Sequence, residues 1–369
     1  TAYEISLGLV GSEMCIRDSS YLFTHPISTT IGADISDQSD RRKRYNNIRG
    51  DRGSKVFDQL ESFRNNAFYF QQSYLLKNKI NVIWGSRWDN DKIESLDYYI
   101  SDGLGSGFTS LNNTSPFAGL TYLLNKSMSI YTNYSNHYET PTLNELSNDP
   151  DSLSVGGFNP KLNPQISNSF EIGSKGYVNN YFYYDIALFR SKIDNEITSF
   201  ELEESPGKTF YRNIGESQKQ GIEMSLSSSI GNNITLNLGY TYSKFEYANY
   251  VKNNKNLNGN RLPGIPQNTF NSDIYYINPN GYFIMAGLTR YGIIYLNDFN
   301  DHEIEPYSIL NLRVGNEYKF FGSKLKVHIG ANNLLNAIYY SNLRVNAWGG
   351  RFYEPAPQAN FYMGTEVLF

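Results

Sequence analysis

The pattern of alternating apolar segments and the gaps between them constrains the fold of this chain more than any other sequence feature. In the segment NNITLNLGYTYSKF, Ile234, Leu236 and Leu238 fall on one face of an extended chain, while Thr235 and Asn237 fall on the other. A helical period would scatter these apolar side chains around the axis. The segment therefore predicts a β-strand with one apolar face and one polar face.

About fourteen strands of this kind are predicted. They lie near 21–36, 64–76, 79–90, 114–124, 127–137, 168–177, 181–199, 209–229, 233–246, 266–278, 281–296, 305–319, 323–336 and 358–369. Tight turns alternate with long polar loops, which lie near 37–63, 91–113, 138–167, 200–208, 247–265, 297–304 and 337–357. Bacterial outer-membrane barrels place short turns at one end of the strands and long loops at the other. The pattern therefore predicts an all-β fold, specifically a transmembrane antiparallel β-barrel.

The composition agrees with such a barrel. Aromatic residues make up 15% of the chain, with 31 Tyr and 22 Phe, yet the mean hydropathy is −0.49. A polar lumen face dilutes the apolar lipid face in this class of protein. No run approaches the roughly 20 apolar residues of a transmembrane helix. Trp84, Trp88, Tyr240 and Tyr242 lie near predicted strand ends and are predicted to form part of an interfacial aromatic girdle.

The first nineteen residues, TAYEISLGLVGSEMCIRDS, lack the basic front and the uninterrupted apolar run of a secretory signal. Thr1–Ile5 and Leu9–Ser19 are similar to a one-frame translation of the indexed primer and transposase end used in tagmentation sequencing libraries. We therefore predict that 1–19 is a non-native, adapter-derived segment that packs against nothing in particular. The natural N-terminus is then expected to lie elsewhere.

Residues 20–369 carry 31 basic and 33 acidic residues and no cysteine, because Cys15 is the only cysteine of the chain. This near-neutral balance gives no electrostatic reason to expect nucleic acid as a partner. Without cysteine, disulfides, cysteine nucleophiles and thiolate metal sites are excluded from this part of the chain.

Six motifs occur in a consistent order. They are YTNYSNHYETPTLNEL at 131–146, FNPKLNPQISNSFEIGSKG at 158–176, YRNIGESQKQGIEMSL at 211–226, RLPGIPQNTF at 261–270, GANNLLNAIYY at 330–340 and GRFYEPAPQANFYMGTEVLF at 350–369. In this order they resemble the C-terminal half to two-thirds of TonB-dependent outer-membrane receptors. Departures are small: Gln165 and Asn336 stand where the family usually or often has an acidic residue.

This resemblance implies a 22-stranded barrel around an N-terminal plug with a TonB box, in the outer membrane of a Gram-negative bacterium. It implies import of a ferric siderophore, cobalamin or a similar scarce ligand, energised by the TonB complex. Residues 20–369 would then be a partial barrel that lacks the plug, the TonB box and about eight strands. The alternative is a passive porin or a structural or adhesive barrel. No catalytic constellation stands out, so we expect neither an enzyme nor a cofactor.

The basic cluster DRRKRYNNIRGDR at 40–52 lies in a predicted extracellular loop. Arg41, Arg42, Arg44 and Arg49 are candidate contacts for an anionic ferric chelate. The same cluster could instead contact lipopolysaccharide phosphates or form a solvated face. His137, at the mouth of another long loop, is the fifth candidate ligand contact, although a lone histidine near a membrane interface is commonly only a polar surface residue.

The segment NDFNDHEIE at 297–305 offers four carboxylates that could hold a calcium ion. These are Asp298, Asp301, Glu303 and Glu305, and carboxylate oxygen is the ligand that calcium prefers. The segment lacks the glycine and the ligand spacing of a defined calcium loop. We therefore expect no resident metal.

Overall fold

The computed structural model describes residues 2–22, 25–151, 157–320 and 322–368, and β-strands dominate them. Thr1 and Phe369, which belong to predicted segments, lie outside the described residues. The first strands are β1 (Ala2–Leu22), β2 (His25–Ile48), β3 (Asp51–Leu76), β4 (Ile80–Asp97), β5 (Gly107–Leu123), β6 (Met128–Glu139), β7 (Gln165–Val178), β8 (Phe182–Asp194), β9 (Ile197–Leu202), β10 (Ser205–Asn213), β11 (Glu216–Ile230) and β12 (Ile234–Asn249).

The remaining strands are β13 (Val251–Lys252), β14 (Lys255–Asn256), β15 (Asn268–Ile277), β16 (Tyr282–Tyr291), β17 (Ile294–Tyr295), β18 (Glu303–Ile304), β19 (Tyr307–Phe320), β20 (Ser323–Asn332), β21 (Tyr340–Leu343), β22 (Tyr353–Pro355) and β23 (Asn360–Leu368). One short helix, α1 (Leu143–Leu146), and three 3₁₀ turns, at Ile100–Asp102, Asn179–Tyr181 and Trp348–Gly350, complete the described elements.

Fifteen of the described strands form one antiparallel sheet. Its order is β1-β2-β3-β4-β5-β6-β7-β8-β11-β12-β15-β16-β19-β20-β23, and the other described strands pair as β9/β10, β13/β14, β17/β18 and β21/β22. The fourteen predicted strands correspond in position to β2 and the strands after it in this order, so the all-β prediction is confirmed. Within the described residues, no helix is long and apolar enough to cross a membrane.

The hairpin of β2 and β3 is much longer than predicted. The sequence indicated an irregular loop over 37–63, but paired strands continue to a two-residue turn after β2 ends. That prediction is wrong because strands were predicted from alternating apolar residues, and this segment is polar. Here Arg41 binds Asp58 and the Arg44 guanidinium lies 4.0 Å from the centre of the Phe57 ring. Such charge and cation–π pairs stabilise neighbouring strands that lack apolar side chains.

The other long loops carry small structures of their own. The predicted loop over 91–113 shortens to the residues between β4 and β5, whereas the one over 138–167 lies between β6 and β7 as expected. The later loops contain the four two-stranded sheets. Short hairpins satisfy backbone hydrogen bonds that an irregular loop would leave to solvent.

Residues 2–22 pair with β2 from Ala2 opposite Tyr45 to Leu22 opposite His25. The expectation that 1–19 packs against nothing is therefore wrong for the backbone of this strand. An edge strand presents a row of free N–H and C=O groups, which pair with an extended chain whatever its side chains are. Backbone pairing does not report on the origin of the segment, so its adapter origin stays a prediction.

The alternation along the strands separates an exposed apolar face from a polar face. Trp84 and Trp88 of β4 are 47% and 42% exposed, as expected for a girdle that contacts lipid. On the polar face of the same strand, Arg87 forms ion pairs with Asp34 and Asp89. An apolar face of this extent left open on the strands is typical of a surface covered by membrane lipid.

By contacts, the chain falls into two units, and each has a small apolar core among its loops. In the first unit, Ile93, Leu146, Phe158 and Leu162 are buried together, and Tyr211 packs against them. This core fastens the segment after β6 to β3, β4 and β10.

The core of the second unit lies among the loops after β16 and β20. It consists of Ile294, Leu296, Ile304, Ala347 and Phe352. The loops of this unit are therefore packed against one another rather than independent.

Candidate ligand-binding site

The β2/β3 hairpin presents two different faces because successive side chains of a strand point to opposite sides. Asp40 lies directly opposite Glu61 across the two strands, and Arg42 lies opposite Gln59. These four side chains share the polar face of the hairpin. Arg41, between them in sequence, points to the other side.

A cavity of about 460 Å³ lies on the polar face of this hairpin. Its lining residues are Gln38, Asp40, Arg42, Glu61, Phe63 and the segment from Thr140 to Asn144. The segment is held in place at the start of α1 by a capping box. The backbone N–H of Glu145 donates to the Thr142 hydroxyl, and the Glu145 carboxylate accepts from the Thr142 N–H at 2.7 Å. Leu146, at the end of α1, is buried in the apolar core of this unit.

Glu61 is the central charged group of the cavity. It is only 3% exposed and forms an ion pair of 2.9 Å with Arg42. The pKa of Glu61 is raised to about 7, chiefly by burial and also by the neighbouring Asp40, against the opposing charges of Arg42 and Arg44. Asp40 accepts a hydrogen bond from the Gln38 amide, but its other carboxylate oxygen is buried without a hydrogen bond among the described residues. The cavity thus holds two neighbouring carboxylates, of which Glu61 is paired with Arg42.

Arg41 does not line this cavity. It binds both oxygens of Asp58, at 2.9 and 3.2 Å, and its guanidinium lies 4.5 Å from the centre of the Tyr98 ring. Burial alone would raise the pKa of Asp58, but Arg41 and Lys55 hold it below its usual value. Of the predicted cluster, Arg41 is therefore engaged in a structural ion pair on the opposite face.

Arg44 shares the face of Arg42, and both guanidiniums lie over the ring of Phe57, at 4.0 and 5.4 Å from its centre. Sequence reasoning missed a nearby cation, Lys208. Burial lowers the pKa of Lys208, and the charge of Arg44 lowers it further. No local motif marks Lys208, since only the folding of β9 and β10 brings it near the hairpin.

Arg49 and His137 lie apart from the cavity lining. Arg49 is exposed at the tip of the hairpin, in the left-handed region with φ of 53°. His137 is exposed on β6, and its Nε2 lies 2.9 Å from the Ser135 hydroxyl. Of the five predicted contacts, only Arg42 lines the cavity, and Arg44 lies on the same face of the hairpin.

The acidic segment at 297–305 contributes to the core of its loops. Asp298 is fully buried and accepts hydrogen bonds from Tyr247, Asn346 and Lys252 at 2.7 to 2.8 Å. Burial alone would raise the pKa of Asp298, but the ammonium of Lys252 and these hydrogen bonds hold it below its usual value. Within the described ranges, no group of three or more carboxylate, histidine or cysteine side chains could hold a metal ion. The network in the loop core therefore occupies Asp298.

Comparison with known proteins decides the family. The family model described as "TonB dependent receptor-like, beta-barrel" matches residues 16–334. The chain belongs to the TonB-dependent receptor family. This result confirms the resemblance seen in the six motifs, and members of the family are transport receptors of the outer membrane rather than enzymes.

Two curated relatives are siderophore receptors by name. The chain is 29% identical over 211 residues to the "Probable TonB-dependent siderophore receptor PiuA" of Acinetobacter baumannii, which covers 53% of this chain and 27% of the relative. It is 25% identical over 279 residues to the "Ferrioxamine B receptor" of Salmonella typhimurium, which covers 73% of this chain and 36% of the relative. The matched parts are thus about a quarter to a third of the relatives' lengths.

The fold is also similar to solved receptors. The ferric-catecholate import receptor Fiu of E. coli K12 superposes with a TM-score of 0.76 at 17% identity, covering 99% of this chain and 55% of that one. The ferric citrate transporter FecA superposes with a TM-score of 0.80 at 15% identity, with the same coverage. The chain therefore spans about half the length of these receptors.

Proposed function

We propose that this chain supplies most of the barrel of an outer-membrane receptor that binds and imports a ferric siderophore or similar scarce chelate, energised by TonB. The observation that carries the proposal is the family match over most of the chain, together with relatives named as siderophore and ferrioxamine B receptors. The location would be the outer membrane of a Gram-negative bacterium. The protein would act as a receptor and transporter without catalysis.

Within this proposal the cavity beside the β2/β3 hairpin belongs to the ligand-binding surface. Arg42 and Arg44 supply positive charge on one face, and both guanidiniums lie over the ring of Phe57. Ferric chelates are commonly anionic, and guanidinium groups suit carboxylate and similar oxygen ligands because their donors form a planar fork. Arg41, Arg49 and His137 remain weaker candidates for the same role, since none of them lines the cavity.

The proposal is tested with the whole protein that carries this chain, expressed in a strain that lacks its own siderophore receptors. The measurement is uptake of radiolabelled ferric chelates. We expect uptake of at least one chelate, and we expect inactivation of TonB to abolish it. Uptake that continues without TonB would contradict the receptor proposal and favour a passive porin. Absence of uptake for every chelate class would favour a structural or adhesive barrel.

The role of Arg42 is tested in the same assay with Arg42→Gln. Loss of one charge-assisted contact to a chelate corresponds to roughly 1.5 to 3 kcal/mol, or about a ten- to hundredfold rise in the concentration needed for half-maximal uptake. Lys79→Gln, in the tight turn between β3 and β4, is the matched control because it removes an exposed charge at the other end of the same strands. Equal uptake by both variants would remove Arg42 from the binding surface.

Lipopolysaccharide is a further proposed partner, as expected for an outer-membrane protein. The TonB complex would act through a part of the receptor that the matched relatives possess beyond the region of similarity. Contact with lipopolysaccharide and contact with the TonB complex are both parts of the proposed function.

A further inference from the structure

Asp40 lines the cavity beside the β2/β3 hairpin with a carboxylate oxygen that has no hydrogen-bond donor. The side chain is 9% exposed, and its Oδ2 accepts from the Gln38 amide at 2.6 Å. The other oxygen, Oδ1, is buried and accepts no hydrogen bond among the described residues. Burying an acceptor without a donor is unfavourable, and more so when the acceptor is charged. The oxygen therefore favours a further donor inside the cavity.

The groups that surround Asp40 leave this need unmet. The guanidinium of Arg42 is paired with Glu61 at 2.9 Å. The Thr142 hydroxyl donates to the carboxylate of its own capping box at 3.0 Å. The side-chain oxygen of Gln59, directly opposite Arg42, is a second buried acceptor without a partner in the part of the chain that the structure describes. The buried groups in need of a partner here are thus acceptors.

The opposite wall of the cavity is apolar. Phe63, Pro141 and Leu143 line it, and Phe63 and Leu143 also pack against the apolar core of this unit. The volume of about 460 Å³ falls in the range of about 300 to 1,000 Å³ that is usual for small-molecule sites. An acidic end beside an apolar wall matches a group with an alkyl stem and a charged head, as in a lysine side chain.

An ammonium group suits the acidic end better than a neutral donor. Asp40 and Glu61 lie directly opposite each other, and the charge of Asp40 contributes to the raised pKa of Glu61, which is about 7. A cation between two carboxylates offsets their repulsion and favours their ionised forms. An ammonium also has three donors, which is enough for Asp40 Oδ1 and a second acceptor.

We propose that Asp40 makes the receptor selective for ferric chelates that carry a protonated primary amine on a short alkyl arm, and that this arm enters the cavity. The ammonium donates to Asp40 Oδ1 and contacts Glu61, while the methylene groups pack against Phe63 and Leu143. Acidic oxygen atoms of the same chelate bind Arg42. The inference rests on the proposed receptor function and narrows its substrate class. Asp40 is then a specificity-determining residue.

The first experiment tests the cavity with small probes, using the whole receptor in detergent and an amine-free buffer. Ligand-observed NMR compares n-pentylammonium with n-pentanol, which is similar in size but uncharged. A charge-assisted hydrogen bond corresponds to about a ten- to hundredfold change in affinity. We therefore expect n-pentylammonium to bind at least tenfold more tightly than n-pentanol, and Asp40→Asn to abolish this preference. Asp51→Asn makes the same change at the exposed tip of the hairpin and should keep it.

Equal affinity of the parent for the two probes would overturn the proposal, and so would an unchanged preference in a folded Asp40→Asn variant. Heat-modifiable mobility in gel electrophoresis checks that each variant is folded. The comparison of the two probes on the parent needs no variant, so the proposal stays falsifiable if Asp40→Asn does not fold.

The second experiment uses ferric hydroxamate and ferric catecholate complexes that carry an aminopentyl arm, each with its amine free or acetylated. Acetylation removes the charge and keeps the chelate unchanged. For each complex that the receptor imports, the free amine should bind at least tenfold more tightly than the acetylated form. TonB-dependent uptake with equal affinity for both forms would refute only the amine selectivity. Preference for n-pentylammonium without uptake of any chelate would refute only the proposed function.

Discussion

Replacing Glu61 by glutamine tests the electrostatics of the cavity beside the β2/β3 hairpin. Glu61 is 3% exposed, faces Asp40 directly and has a pKa raised to about 7, mainly by burial. A carboxyl whose pKa is raised on folding holds its proton more tightly in the folded state. Well below pH 4.5, Glu61 is protonated in both states and its ionisation does not affect stability. As the pH rises toward 7, ionisation of Glu61 progressively destabilises the hairpin.

The expected magnitude follows from the difference between a pKa of 4.5 in the unfolded chain and about 7 in the folded chain. Between pH 5 and pH 8 the free energy of opening of the hairpin should fall by roughly 2.5 kcal/mol, since one pKa unit corresponds to about 1.4 kcal/mol. Glutamine cannot ionise, so Glu61→Gln should remove this pH dependence. Any effect of the substitution that is independent of pH cancels when the two pH values are compared.

Hydrogen exchange of peptides from β3, corrected for the intrinsic pH dependence of amide exchange, measures local opening directly. The protection of these amides should fall about 70-fold more between pH 5 and pH 8 in the parent than in the variant. Glu94→Gln, which removes an exposed carboxylate from β4, is the matched control and should resemble the parent. The change in protection between pH 5 and pH 8 could instead differ by less than about threefold between the parent and the Glu61 variant. That result would refute the claim that burial raises the pKa of Glu61.

Two further perturbations test the packing of the strands and loops. Asp298→Ala removes the buried partner of the half-buried Lys252 ammonium and should destabilise the surrounding loops by about 3 kcal/mol, seen as faster proteolysis within 292–306. Gly85→Ala places a methyl group against the backbone carbonyl of Phe70, so the folded fraction in a heat-modifiability assay should fall. Gly239→Ala is the control, since its methyl group would meet Asn271 at 3.8 Å, an ordinary contact, and folding should be unaffected.

The arginines of the β2/β3 hairpin show why a charged run in a loop is a weak guide to a binding site. Arg41 and Arg42 are neighbours in sequence, yet one binds Asp58 and the other Glu61 on the opposite face. Once the segment is a strand rather than an irregular loop, alternation divides its charges between two surfaces. A cluster that looks uniform in sequence therefore contributes only part of its charge to any one site.

The loops of the second unit illustrate the same limit for carboxylates. Asp298 and Asp301 lie three residues apart in sequence, but Asp298 is sealed among Tyr247, Tyr250 and Lys252, whereas Asp301 is exposed. A buried carboxylate that is already saturated by hydrogen bonds has no oxygen to offer a cation. Counting acidic residues in a segment could not have revealed this.

The sequence by itself determined the strand class, the positions of the membrane-length strands and the family, because period-two alternation and ordered motifs are local properties of a chain. The sequence also predicted Trp84 and Trp88 as part of an interfacial girdle, and both side chains are exposed. Only the tertiary structure decided where the hairpin of β2 and β3 ends and that Arg42 lies on the same face as Glu61. It also decided that Lys208 approaches Arg44. Those outcomes depend on pairing between segments that are far apart in the chain. The free energy of such pairing depends on both segments and cannot be read from the sequence of either one alone.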